Sequence, residues 1–275
     1  MAKVSKAIGR GGRPGYSGTS RRRLAARSHS RAIALQCPAM KTLTVDVWSD
    51  IACPWCYVGK RRLEAALAQF PERASVEVVW HAFELDPAAP AIRDDSQSYA
   101  ERLARKYGSS VARAEEMIQT MTETAAKDGL DFHFERVKSG NTFDAHRLIH
   151  LARERGVQDA VKERFLRAYM TEGAPIGDRD TLVHLAEEAG LDAEEAHTAL
   201  VTDAYAADVR ADEERARALG ISGVPFFAIG GHGVSGAQPA DALRSVLARA
   251  WNEASETADA ASLAEGAACG PDGCA

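Results

Sequence analysis

The chain has 275 residues, 45% of them hydrophobic, enough to bury a sizeable core in one large domain or in a domain with an insertion. Five cysteines are too few for a disulfide-stapled secreted scaffold, and no apolar run approaches the roughly 18 residues of a membrane span. Charge is divided unevenly: residues 1–39 carry nine Lys or Arg and no acid, whereas residues 40–275 carry 25 basic against 39 acidic residues, a net of −14. So acidic a body speaks against nucleic acid as a partner, because phosphate binding needs a basic face.

Residues 1–39, with Arg21-Arg22-Arg23, several Ser and Gly and no hydrophobic periodicity, read as a disordered basic extension. Arg22-Arg23 raises an export signal, but the apolar run Ala32-Ile33-Ala34-Leu35 falls well short of an h-region. The Arg- and Ser-rich, acid-poor composition also suits a mitochondrial presequence. Fold-like patterning begins directly after Met40, which favours Met40 as the initiator; Cys37 would then be absent from the cell. Without a credible signal peptide the expected location is the cytoplasm.

The first element is the alternating strand Thr44-Val45-Asp46-Val47-Trp48, and it gives way to a helical pattern at Val58 to Phe70. Between them stands Cys53-Pro54-Trp55-Cys56. Pro54 suits the first helical position, because its φ is already helical and its missing N–H is not needed there. Cys53 then lies at the helix N-terminus, where free N–H groups and the macrodipole favour an anion, so its thiolate is expected to be stabilised and to be the attacking sulfur. Cys56, about one turn on and deeper in the helix, is expected to be the resolving sulfur. Two blander readings compete. The pair with Cys269 and Cys274 makes a Cys₄ zinc set, although a zinc knuckle usually sits on a turn rather than a regular helix. An inert structural disulfide closing so tight a loop would remove little entropy from the unfolded chain.

Ser75 to Phe83 reads as a second strand, parallel to the first with a right-handed crossover, and His81 on it reads as structural. After the breaker Asp86-Pro87-Ala88-Ala89-Pro90 the pattern is helical, with segments at 97–107, 109–128, 142–155, 157–171, 178–189 and 192–219. The β signal returns at Val224 to Ile229, a Gly230-Gly231 turn leads to a short strand at His232 to Ser235, and Pro239 to Trp251 reads as a final amphipathic helix. The order βαβ, helical insertion, ββα is an α/β thioredoxin fold. Its parts are expected at 40–90 and 220–253, with an all-helical insertion at 91–219 and a flexible tail at 254–275. In that fold Val224-Pro225 is where a cis-proline faces the cysteine pair, against a low base rate for cis bonds.

These residues carry a resemblance. Ser49 to Lys60 around the cysteines, Phe83-Glu84-Leu85-Asp86-Pro87, Asn141-Thr142-Phe143-Asp144-Ala145-His146-Arg147-Leu148 and Gly220-Ile221-Ser222-Gly223-Val224-Pro225-Phe226-Phe227 are similar to the DsbA-like thiol-disulfide oxidoreductases, specifically the FrnE subgroup, over about residues 42–253. The resemblance implies dithiol-disulfide exchange on protein or small thiol substrates without a metal or organic cofactor. Cys53 would be the nucleophile, Cys56 the resolver, and Pro54, Trp55, Val224 and Pro225 the substrate-binding surface. The related 2-hydroxychromene-2-carboxylate isomerases and kappa-class glutathione transferases are the alternative; they typically carry Ser at the position of Cys53 and use glutathione as co-substrate.

Other candidates are weaker. His146 and Asn141 open an insertion helix that the resemblance places near the cleft, where His146 would tune a thiolate or hold a glutathione carboxylate; a surface or satisfied core histidine is the competing reading. Trp55 reads equally as an apolar lip for substrate and as a packing residue. Pro271-Asp272-Gly273 would fold the tail so that Cys269 and Cys274 approach as a second redox pair, reaching Cys53 on a flexible linker. FrnE-like proteins resemble this chain in that C-terminal C-x₄-C. An incidental disulfide in a frayed tail is the alternative, and a homodimer is compatible with the sequence.

Overall fold

The computed structural model describes residues 42–93 and 96–267, with side chains as far as residue 256. The extension with Cys37, and the pair Cys269 and Cys274, lie outside the described residues.

A four-stranded sheet in the order β2-β1-β3-β4 positions everything else. β1 (Leu43–Ser49) is its second strand, flanked by β2 (Val76–Ala82) in parallel and β3 (Phe226–Ile229) antiparallel, with β4 (His232–Ser235) at the edge. The parallel pair needs a crossover, which is α1 (Pro54–Ala68). The pleat sends Leu43, Val45 and Val47 of β1 into the main apolar core, which also holds Val58, Leu63 and Ala66 of α1 and Leu243, Leu247 and Ala250 of α9 (Ala240–Ala267). The alternate residues face the other way, where Trp48 packs with Ala216 and Ile221. This is the thioredoxin fold with a helical insertion.

The insertion comprises α2 (Tyr99–Tyr107), α3 (Val111–Lys127), α4 (Phe143–Glu154), α5 (Gln158–Arg167) with a π turn at Ala168–Glu172, α6 (Arg179–Glu188), α7 (Ala193–Val201) and α8 (Ala206–Ala218). Ser98 opens α2 with a capping box to Glu101, and Ser110, Asp178 and Asp192 cap α3, α6 and α7. Two expectations need correction. The single helix read at 192–219 is two, parted at Thr202 to Tyr205, because the buried Arg147 guanidinium donates to the carbonyls of Ala199, Thr202 and Ala204 at the end of α7. A tertiary contact overrides a locally continuous pattern there. The final helix runs to Ala267 rather than ending near Trp251. Its alanine- and glutamate-rich second half keeps high helix propensity. A flexible coil from Ala254 is therefore wrong over that stretch. Among the described residues no helix is long and apolar enough to cross a membrane.

Candidate active site

β1 ends at Ser49, and a turn closed by the Cys53 N–H on the Asp50 carbonyl (3.3 Å) delivers the chain into α1. Cys53 is the N-cap, with extended backbone (φ −98°, ψ 110°), and Pro54 occupies the first helical turn, as its locked φ allows. Cys53 and Cys56 are free thiols, 4% and 1% exposed, and they hydrogen-bond to one another. Across from them the Val224–Pro225 peptide bond is cis, and Cys53 Sγ donates to the Val224 carbonyl at 3.5 Å. Gly236 N–H holds the Pro225 carbonyl at 2.8 Å.

Gly59, on α1, sets how close helix and loop come. A Cβ there would lie 2.9 Å from Pro225 Cγ and 3.2 Å from Phe227 Cζ. The absent methyl lets the proline ring rest against the helix carrying the cysteines. Sequence reading passed over Gly59; its signal was a glycine inside a helix, where it costs propensity and needs a packing reason.

At Cys53 the surroundings in the free dithiol work against the helix N-terminus. The hydrogen bond with Cys56 and burial push its pKa well above the usual thiol range, with the charges of Cys56 and Asp50 adding to them and the Cys56 backbone N–H pulling the other way. Asp50, 1% exposed, accepts from Leu85 N–H (2.8 Å) and Ala52 N–H (3.3 Å). Burial works to raise its pKa, but His146, Leu85 N–H and Thr142 outweigh it and hold the carboxyl below its ordinary value.

His146, 1% exposed, sits beneath Asp50 with Nε2 at 3.5 Å from Oδ1 and without a hydrogen-bond partner, so it belongs to the buried surroundings of the cysteines and not to the surface. Burial draws its pKa down. Asn141 is a loop clip: its Nδ2 donates to Glu84 Oε1 (3.2 Å) and the Pro87 carbonyl (3.4 Å), and its Oδ1 accepts from Phe143 N–H (2.8 Å). His81 lies apart, between Asp212 and Asp46, 2.6 Å from each and stacked on Trp48. Lys162, which sequence reading did not single out, is fully buried and donates to the Ser49 carbonyl at 3.2 Å.

The cysteines open on a cleft of about 1060 Å³ between the sheet end and the insertion, lined by Cys53, Pro54, Trp55 and Val224 on one side and by α2, α3 and Tyr169 on the other. Trp55 is 43% exposed, so it forms the lip and not the packing of α1. Five cationic side chains line the cleft, among them Arg102, Arg105 and Lys106 of α2, against three acidic ones. Among the described residues no three His, Cys, Asp or Glu side chains gather as a metal set.

Comparison with known proteins fits this geometry. Residues 44–248 match the model of the DSBA-like thioredoxin domain. The chain is 31% identical over 212 residues to the uncharacterised protein YwbO of Bacillus subtilis (strain 168), covering 75% of this chain and 96% of that one. A crystal structure of a probable DsbA oxidoreductase from Streptomyces coelicolor is 47% identical, with a TM-score of 0.72, over 77% of this chain and 91% of the other. The fold alone is shared with the cytosolic disulfide reductase DsbM of Pseudomonas aeruginosa, solved with GSH (19% identity, TM-score 0.54, 76% and 100% covered). It is shared likewise with a 2-hydroxychromene-2-carboxylate isomerase (15%, TM-score 0.55, 78% and 98%). The chain belongs to the DsbA-like thioredoxin-domain family.

Proposed function

We propose that the protein is a thiol-disulfide oxidoreductase whose working groups are Cys53 and Cys56. The observation that carries this reading is the meeting of a free dithiol at the start of α1 with the Val224 carbonyl, at the mouth of a large cleft. Cys53, the more accessible sulfur, attacks a substrate disulfide as the thiolate; the backbone at Val224 holds the mixed disulfide; Cys56 attacks Cys53 and releases the second substrate sulfur. Two electrons pass from the enzyme dithiol to the substrate.

The surroundings favour reduction or isomerisation over disulfide insertion. A strongly stabilised thiolate would stabilise the reduced enzyme and make an oxidant; the hydrogen bond with Cys56 and burial oppose that stabilisation at Cys53. A reducing pair suits the cytoplasm, where we place it. The cationic lining within an acidic body favours substrates with negative charge beside the sulfur, whether a small thiol such as glutathione or an acidic stretch of polypeptide. The isomerase fold is equally present, but the cysteine at position 53 and its partner at 56 rank redox chemistry first.

Titration of the protein in glutathione buffers, with free thiols mapped peptide by peptide, tests the reading. A reversible two-electron transition at Cys53 and Cys56 is expected, lost in Cys53→Ser, with mixed disulfides accumulating in Cys56→Ser. Equal activity of the two variants and the parent rules the mechanism out.

A further inference from the structure

A buried ammonium ordinarily has a carboxylate. Lys60 does: it is 2% exposed, and Glu64, Asp159 and Glu163 surround its Nζ. Lys162, one turn into α5 and fully buried, has none within ion-pair distance among the described residues. Its one hydrogen bond goes to the carbonyl of Ser49, and the Trp80 ring lies 5.8 Å from Nζ. The charges that act on it are Cys56, Asp50 and Cys53, which draw it toward the protonated form, and Lys60, which opposes; it acts in turn on His146 of α4. Asp50 already accepts from Leu85 N–H and Ala52 N–H, and His146 Nε2 lies 3.5 Å from its Oδ1. The counter-charge that Lys162 lacks is therefore supplied when a cysteine of the pair gives up its proton.

We infer that Lys162 is the internal counter-charge of the dithiol: a positioning residue on the insertion that stabilises negative charge on Cys56 while the mixed disulfide is resolved. This rests on the redox reading above. In that step the Cys56 thiol loses its proton to solvent and the thiolate attacks Cys53 Sγ. The Cys53–Cys56 bond forms, the bond from Cys53 to substrate sulfur breaks, and the departing thiolate takes a proton from solvent. The negative charge is transient and buried, which is where a preplaced positive charge has the largest effect. Burial draws the Lys162 amine down to about 8, so its proton is held loosely until that charge appears.

Lys162→Met and Lys162→Gln, in the full chain, test this through the redox equilibrium with glutathione at Cys53 and Cys56, taken as the ratio of variant to parent across pH. The ratio should stay near one at about pH 6, where the dithiol is protonated in both, and move several-fold toward the disulfide over the pH range in which a thiolate forms beside the ammonium, as expected for losing an opposite charge beside a thiol. A ratio equally displaced at every pH marks a structural lysine and overturns the inference. A parent without any transition at the pair overturns the redox reading instead. The second arm needs no variant for its readout. By linkage, the Lys162 amine, followed by NMR of isotopically labelled lysine, should titrate higher in the reduced protein than in the oxidised one. Equal titration in the two states overturns the inference.

Discussion

Two clusters of buried polar groups lie on opposite sides of the end of β1, and they differ in whether their charges are matched. In the first, His81 joins Asp46 and Asp212 at 2.6 Å each, Asp212 also accepts from Ala82 N–H at 2.8 Å, and the Trp48 indole donates to the Asp212 carbonyl. In the second, among the described residues, Lys162 has no carboxylate within ion-pair distance, and two thiols share a pocket with an ionised Asp50. The matched cluster ties α8 to the sheet. The unmatched one surrounds Cys53 and Cys56. Burying a charge without its counter-charge is costly.

Breaking the matched cluster has the largest expected effect on stability. Asp212→Ala leaves His81 Nδ1 and Ala82 N–H without their Asp212 partner and should cost about 3–5 kcal/mol in chemical denaturation. Burial works to raise the Asp212 pKa, but the imidazoles of His150 and His81 and the Ala82 N–H outweigh it and hold the carboxyl far below the usual carboxylate range. A depressed carboxylate contributes stability that is present above its unfolded pKa of about 3.9 and is lost as pH falls through the folded value. The parent's acid unfolding should therefore be steeper than that of Asp212→Ala.

The unmatched cluster predicts the opposite sign. The Lys162 pKa is lowered to about 8 from 10.5, so the folded state is penalised once pH falls below the unfolded value, and fully so below about 8. Lys162→Met should stabilise the protein by about 3 kcal/mol at pH 7, the equivalent of that shift, with the gain vanishing above about pH 10. Destabilisation by that variant would erase the distinction between the clusters. Gly59→Ala bears on the geometry linking them to the loop: with Pro225 Cγ 2.9 Å away, it should cost about 1–3 kcal/mol and slow disulfide exchange. Trp55→Ala sets the baseline. As an exposed lip it should change stability by less than about 0.5 kcal/mol while raising KM for substrate.

The sheet, the crossover helix and the cysteine pair were legible because each rests on local patterning: alternation in β1, Pro54 at a helix start, β-branched residues in β2. The matched cluster and Lys162 were not, because they depend on contacts such as Lys162 with Ser49, which lie 113 residues apart. Lys162 did leave a trace. It shares the buried stripe of α5 with Gln158, Val161, Phe165 and Leu166, a charge at helical spacing among apolar residues. The helix N-terminus at Cys53 is likewise visible in sequence, but the Cys56 contact and the depth of the pocket that oppose ionisation of its thiol are not.

The segment from Leu85 to Arg93 that borders the cleft is bolted down at its far end. The Ala91 carbonyl oxygen lies where side chains would stand on Gly140 and Gly177, 2.2 and 1.5 Å from their would-be Cβ positions. Arg93 N–H bonds the Ser139 carbonyl and Asn141 N–H the Pro90 carbonyl, at 3.1 and 2.9 Å. This stretch of the rim is thus held by backbone contacts, so its course is set by the chain that packs beneath it.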